Sequence, residues 1–580
     1  MNIRRGKFSS VSELVRHNTG MSEEELLNDR KTYRIDGLAE TKDMLLKAMK
    51  EQKTIYVFGD YDVDGVCASA IFKTGMTSIG YGDQTVVRLP RRFSEGYGVS
   101  EKAVDEFKDG QVLVTVDNGI AAISAIKKAK SKGMQVIVID HHLPLQDGNG
   151  KVILPEADVI IDPKAIPDSA DFDGYCGAGL AYRVMCRLVR DKRTVWKMLC
   201  MAAIATIADV MPLTSENRRI VKYGIANMTD INCTTSGLYA LLLACECMEY
   251  VTEESVSYKI APCLNAPGRL FDYGSYESYK LLSFDGNLSE ARKMAEQQLE
   301  WNQTRRSLSD EWTGRAMEQA NTHAITGKKP VILCIDGIPE GIIGIVAGKV
   351  AEHVKCPCVI LAPTQEQPGM LKGSARSHGD IHLFNLLQKG EEFLARFGGH
   401  KEAAGLSIAE GDLESFRERL YDVYRQICQD EPADNNFYYD LEADGSDGKS
   451  LRKILEDIQK YGPYGQGNPS PVLFIKGLLL EASGSDYYRY MGDHTAVRMS
   501  SKELDCISFH DIEQFERIGA PALIDVMGTV SVNHYMGKSR YRLEFSYIKE
   551  SQKTQKKRSA LACLIAQKAT GRYKGQEGIE

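Results

Sequence analysis

From Thr54 onward the apolar positions come in short unbroken runs: Thr54-Ile55-Tyr56-Val57, Val112-Leu113-Val114-Thr115-Val116, Gln135-Val136-Ile137-Val138-Ile139 and Val159-Ile160-Ile161. Such runs read as strands buried on both faces. Helical patterns at 66–76 and 120–132 alternate with them, as in a parallel sheet. Residues 1–52 read as a charged helical cap. Two helices follow the sheet, at 179–190 and 195–208, the second stopped by Pro212. Residues 264–270 read as a turn. From Leu288 to about Asn321 a long helix leaves few apolar positions, the pattern of a rod between domains. A second α/β unit begins at Pro330, with strands at 331–335, 359–361 and 371–375 and helices at 341–353 and 413–429. Gly398-Gly399-His400 falls on a loop in this reading. After an acidic linker at 429–436, short strands with Gly and Pro punctuation predict an all-β module to about Tyr547. Its Gly465-Gln466-Gly467-Asn468-Pro469 is a turn with no helix after it, which excludes a dinucleotide loop. The expected organisation is therefore a cap (1–53), a catalytic α/β domain (54–287), a connecting helix (288–321), a second α/β domain (322–430), a β module (436–549) and a basic tail (550–580).

Composition changes little in this picture. With 580 residues, 43% hydrophobic and 26% charged, the chain is an ordinary multidomain globular protein. The net charge of −7 gives no hint of nucleic acid, but a bound cation would reverse the local sign of any carboxylate cluster. No apolar signal core follows Met1-Asn2-Ile3-Arg4-Arg5, and the most apolar stretch, 199–213, is too short to span a bilayer and contains Asp209. A cytoplasmic protein without membrane contact is expected. The 14 cysteines lack zinc-site spacing and read as buried free thiols.

The chemistry lies where predicted strands end. Asp60, Asp62 and Asp64 follow the first run, Asp117 the second, and Asp140-His141-His142 the third; Asp209 ends the helix at 195–208. Strand ends of one parallel sheet share a rim, where open α/β sheets keep their ligands. Carboxylates crowded there repel unless a cation lies between them. An acidic solvated turn is the competing reading of Asp60 to Asp64 taken alone. Oxygen-rich donors with imidazole and no thiol favour Mn²⁺ or Mg²⁺ over structural zinc. Asp60, Asp62, Asp64, Asp117, His141, His142 and Asp209 are too many for one ion and suit two. Two such ions activate water for in-line phosphoryl displacement. Asp162, before a proline, reads as a turn former.

The ordered motifs resemble a known group. Gly59-Asp60-Tyr61-Asp62-Val63-Asp64-Gly65, Pro90 to Gly98, Val116-Asp117-Asn118-Gly119, Asp140-His141-His142, Ala208 to Leu213 and Asn265-Ala266-Pro267-Gly268-Arg269 are similar to motifs of the DHH phosphoesterase superfamily. Gly344 to Ala347, Gly373 to Ser377, Gly398-Gly399-His400, Ala403-Ala404-Gly405 and Tyr464 to Pro469 extend the resemblance to its RecJ-type single-strand-specific exonucleases. The resemblance implies a DHH catalytic domain, a DHH-associated substrate domain and an OB-fold. It implies 5′-to-3′ hydrolysis of single-stranded DNA by two Mn²⁺ or Mg²⁺ ions, in repair and recombination. Asp60, Asp62, Asp64, Asp117, His141 and Asp209 match metal positions, with Asp62 and Asp64 also counted as catalytic, and His142 matches a position near the scissile phosphate. Arg92, Arg269, Ser374, Arg376, Gly398, Gly399 and His400 match substrate-binding positions. Single-stranded DNA is the implied partner, with a single-strand-binding protein and a helicase beside it, and the chain is expected to act as a monomer. Tyr487, Tyr488 and Tyr490 with Arg489 read equally as base platforms or as packing. The basic residues 553–574 read as a DNA-holding or a solubilising tail.

Three departures are visible. Phe58 stands where many superfamily members carry a histidine. Asp336 to Glu340 replaces an aromatic-His pair. The chain ends soon after the β module, where longer relatives have a further domain. Two other readings compete: a phosphodiesterase for short oligonucleotides or cyclic dinucleotides, which would not need a tracking module, and a non-catalytic replication-fork scaffold, which would not need the aspartates.

Overall fold

A computed structural model describes residues 3–551 except 6–7, 28–30, 324–328, 365–366, 429–436, 483–486, 492–495, 510–516, 520 and 536–537. The acidic linker and the basic tail lie outside the described residues. The first sheet has five strands, all parallel, in the order Thr85–Arg88, Ile55–Phe58, Val112–Val116, Gln135–Ile139, Val159–Ile161. Two of its three inner strands, Ile55–Phe58 and Val112–Val116, are buried throughout, which accounts for their unbroken apolar runs. Phe58, in the position without its histidine, is fully buried and packs edge-on against Phe107. The first core joins this sheet to helices including Val63–Ser78, Gly177–Met185 and Lys192–Ala208.

The long helix Leu288–His323 has 36 residues, a rod of roughly 54 Å. Ala291 and Ala295 pack in the first core, and Ala316 and Ala320 in the second. Small side chains let the mostly polar rod approach both. The second sheet has the order Leu394–Gly399, Ala403–Ala409, Met370–Arg376, Cys358–Pro363, Val331–Cys334, with only the last pair parallel. A third, seven-stranded sheet forms the C-terminal module around the long hairpin Leu523–Tyr535 and Lys538–Glu550.

Four local readings need correction. Residues 264–270 belong to a helix, Ala261–Leu270, despite Pro267 inside it. The Cys263 carbonyl that the proline leaves without its helical donor lies 3.1 Å from the Gln298 side-chain nitrogen, in the amide orientation that pairs both its ends. Gly398 and Gly399 are not in a loop but end a strand paired with Ala403–Ala409; His400 begins the turn, its N–H on the Ala403 carbonyl at 2.8 Å. The C-terminal module is not all-β, because the helix Gly448–Lys460 buries Leu451, Leu455 and Ile458 against it. The N-terminal segment is not one cap. Val11, Leu14, Val15, Met21 and Leu26 pack in the core of the C-terminal module, whereas Leu38, Leu45 and Ala48 pack in the first core. Helical periodicity reports that a face is apolar, not which distant sheet will cover it.

Candidate active site

The strand ends deliver their side chains to one rim. Asp62 caps the helix Val63–Ser78, its Oδ1 accepting from the N–H groups of Asp64 (3.0 Å) and Gly65 (3.1 Å). Asp64 is buried, and both its oxygens accept 2.7 Å bonds from Gly177 and Ala178 at the start of the next helix. Asp117 adopts φ 62°, uncommon for a residue with a side chain. Gly177 permits this closeness, since a Cβ there would lie 2.5 Å from the Asp117 Cβ. Asp140 is no free ligand: its carboxylate accepts from the N–H groups of Ile120, His141 and His142 and pairs with His142 Nδ1 at 2.8 Å. It fixes the two histidines. Asp162 caps its own turn, accepting from Lys164 and Ala165.

Three groups each bring ligand atoms within 4.8 Å of one another: Asp64, His141 and Asp209; Asp60, Asp62 and Asp117; and Asp117, His141 and His142. Every expected metal residue falls in one of these groups, and Asp117 and His141 each belong to two. His141 Nε2 lies 3.1 Å from Asp117 Oδ1 and 3.6 Å from both Asp64 Oδ2 and Asp209 Oδ2. Among the described residues neither of the buried atoms Asp117 Oδ1 and Asp209 Oδ2 has a hydrogen bond; the 3.1 Å approach of His141 Nε2 to Asp117 is not one. Burial raises Asp60, Asp64 and Asp117 above the ordinary carboxylate range, and the neighbouring aspartates raise them further. Asp209 is pushed up to about 8 by burial, then by Asp64 and Asp62. Burial, with His142 and Lys164 adding, lowers His141 to about 3, so its ring is a neutral donor. Lone pairs converging from hard oxygens and imidazole fit a divalent cation such as Mn²⁺ or Mg²⁺.

His142 differs from its neighbour. Burial favours its neutral form, but the bond and charge of Asp140, with Asp62 and Asp209, outweigh that and raise it to about 9. The Tyr97 hydroxyl lies 3.0 Å from His142 Nδ1 and 3.1 Å from the Asp117 carbonyl. Sequence reasoning quoted Tyr97 within its motif but gave it no role.

A cationic cluster borders the rim. Arg92 stacks over Tyr61, 4.5 Å from the ring centroid. Asp272 anchors its loop, accepting from Phe93 N (2.8 Å), Ser94 N (3.0 Å) and Ser94 Oγ (2.6 Å). Arg269 donates to the Gly341 carbonyl at 3.1 Å, across the domain boundary. Burial lowers it to about 9, with Arg92, Arg305 and Arg376 adding to the effect and Asp62 opposing it. Arg376 is lowered by burial and donates to Ser374 Oγ at 2.7 Å. Arg92, Arg305 and Arg376 thus all bear on the Arg269 guanidinium, an accumulation of positive charge that an anion would relieve. Arg305 was missed: within a helix of alternating charges it looks like solvated surface, and no local signal separates it from Arg306. On the second sheet, burial and then His142 and Lys164 lower His400. Tyr487, Tyr488 and Tyr490 pack partly against the core of the C-terminal module.

Three domain families match the chain: the N-terminal domain of the DHH family over residues 54–208, the DHHA1 domain over 327–426 and the RecJ OB domain over 444–547. The single-stranded-DNA-specific exonuclease RecJ of Salmonella typhimurium is 30% identical over 472 residues, 77% of this chain and 79% of that protein. Its namesake from Bacillus subtilis is 30% identical over 521 residues, 88% of this chain, and the chain spans 63% of that relative's length. Among solved structures, Thermus thermophilus RecJ in complex with Mn²⁺ is similar with a TM-score of 0.75 and 25% identity, over 93% of this chain and 76% of that one. An exonuclease RecJ bound to manganese is similar with a TM-score of 0.56 and 30% identity, over 69% of this chain and 96% of that one.

Proposed function

Because the chain belongs to the RecJ family, we propose that it is a metal-dependent exonuclease that hydrolyses single-stranded DNA from the 5′ end, in repair and recombination. The observation that carries this reading is the adjacency of a rim of converging carboxylates and imidazoles and a cluster of arginines, with Asp62 and three arginines all bearing on Arg269. Asp60, Asp62, Asp64, Asp117, His141 and Asp209 would hold two Mn²⁺ or Mg²⁺ ions, which when bound supply a hydroxide nucleophile and charge stabilisation. Arg376, Ser374, Arg92 and Arg269 grip the terminal 5′ phosphate, and the Gly398-Gly399-His400 hairpin closes over the strand. His142, aimed by Asp140, places its imidazole beside the scissile phosphate and steadies the negative charge that grows there. Gripping the end at a fixed distance from the rim makes an exonuclease of a phosphodiesterase. The C-terminal module then tracks the strand.

Several finer points belong to the same proposal: action as a monomer, recruitment by a single-strand-binding protein and a helicase, and a cytoplasmic location. No described helix is long and apolar enough to cross a membrane. The deciding experiment digests end-labelled single and double strands with Mn²⁺, Mg²⁺ or a chelator, with dinucleotides alongside. Metal-dependent release from the 5′ end of the single strand is expected. Faster hydrolysis of dinucleotides, or degradation from the 3′ end, would overturn the reading.

A further inference from the structure

Residues 461–468 of the C-terminal module seat on the loop that follows Asp209. Arg218, in the helix Ser215–Asn227, is fully buried. It donates to the carbonyls of Tyr461 (2.9 Å), Gly462 (2.7 Å) and Pro463 (3.3 Å). Its neighbour Asn217, also buried, donates to the Pro212 carbonyl at 3.1 Å. From the other side the Gln466 carbonyl accepts from Leu213 N at 2.7 Å, and Glu253 accepts from Tyr464 N at 2.9 Å. Gly467, at φ 72°, presses so closely that a Cβ there would lie 3.2 Å from the Pro212 Cβ.

The loop held this way is strained. Val210 adopts φ 53° and Ser215 φ 47°. For a β-branched residue such a conformation persists only where the surroundings over-determine it. Asp209, immediately before Val210, is the helix C-cap, and no donor among the described residues reaches its buried Oδ2. Asp64 is held by two amides and His142 by Asp140, whereas among the described residues Asp209 Oδ2 has no hydrogen bond, only the charge contact with His141 Nε2 at 3.6 Å.

We propose that Arg218 is a positioning residue of the metal centre. It acts through the 461–468 turn and the loop 210–214 to hold Asp209 in place. The C-terminal module is then a structural part of the metal site as well as a strand-tracking surface. This inference rests on the reading of Asp209 as a metal ligand.

The test titrates Mn²⁺ into the full chain without nucleic acid, by calorimetry and by electron paramagnetic resonance. Arg218→Lys keeps the charge but loses the fork that spans three carbonyls. Gly467→Ala pushes on Pro212 from the opposite side. Each variant is expected to weaken one of the two Mn²⁺ sites about tenfold or more and to leave the other unchanged. The double variant Arg218→Lys, Asp209→Asn should bind Mn²⁺ no more weakly than Asp209→Asn alone. Unchanged Mn²⁺ affinity in the single variants, or additive losses in the double, would overturn the inference while leaving the function above intact. A natural chain that binds no Mn²⁺ would overturn both. Should Arg218→Lys fail to fold, as read by circular dichroism, Gly467→Ala decides the matter by itself.

Discussion

The acidic rim and the arginine cluster are neighbours built in opposite ways. Every member of the rim comes from the first domain, and most sit at the ends of adjacent strands of one sheet. The arginines come from four separated segments: the loop after Thr85–Arg88, the helix Ala261–Leu270, the long helix Leu288–His323 and the strand Met370–Arg376. The strand-end members of the rim, Asp60, Asp62, Asp117 and His141, are therefore brought together by the first sheet itself, while Asp209 comes from the helix Lys192–Ala208. The arginine cluster gains Arg376 only once the second domain has docked. The first region would determine whether a bond breaks, and the second which bond is presented.

Substitutions can separate the two. The largest effect is expected from Asp117→Asn, which should lower the single-turnover rate roughly a thousandfold or more, about 4 kcal/mol of barrier. The same change should raise the melting temperature of the metal-free protein. It removes one charge from a buried like-charged group, and asparagine accepts the positive φ at least as readily. Retained cleavage, or a lower melting temperature, would break the contrast. Next in size, Arg376→Ala should reduce the preference for 5′-phosphorylated strands about tenfold to a hundredfold, or 1.5–3 kcal/mol for a hydrogen bond to a charged group. Equal losses on phosphorylated and unphosphorylated ends, in paired digestions, would show that the cluster does not read the end. Arg305→Met should act more gently, raising KM several-fold and flattening the logarithmic salt dependence of strand binding by about 0.7, the slope of one phosphate contact. A fall in the chemical rate with an unchanged salt slope would move Arg305 from the second region into the first. The smallest effect belongs to Arg489→Ala on the exposed face of the C-terminal module, with strand affinity reduced by about 1 kcal/mol or less and turnover unaltered.

How legible each region was in the sequence follows from the same contrast. Asp60, Asp117 and Asp140-His141-His142 stood out because a buried parallel strand is a continuous apolar run, and its end is where polarity returns. Arg92, Arg269 and Arg376 were found through family motifs rather than through any local pattern. Arg305 escaped because an arginine within a charged helix is ordinary until a second domain covers it. The helix at Ala261–Leu270 was misread because a local rule about proline took precedence over a distant compensation, the Gln298 amide. The N-terminal residues were placed in one cap because their apolar faces carry no address, and the two halves chose different cores. Arg218 gave no sign at all, since its partners are backbone carbonyls more than 240 positions away.

The helix Leu288–His323 has a consequence for the spacing of the two domains. Ala291 and Ala295 are fixed in one core and Ala316 and Ala320 in the other. One residue inserted between these anchors would advance the second domain by about 1.5 Å and swing it by about 100°. Arg376 would leave Arg269, and the terminal phosphate would lose its grip. Only whole turns, close to four residues at a time, would keep both anchors engaged. The helix is thus a ruler graduated in turns, and the separation of the two domains that it sets can change only in discrete steps, never by gradual drift.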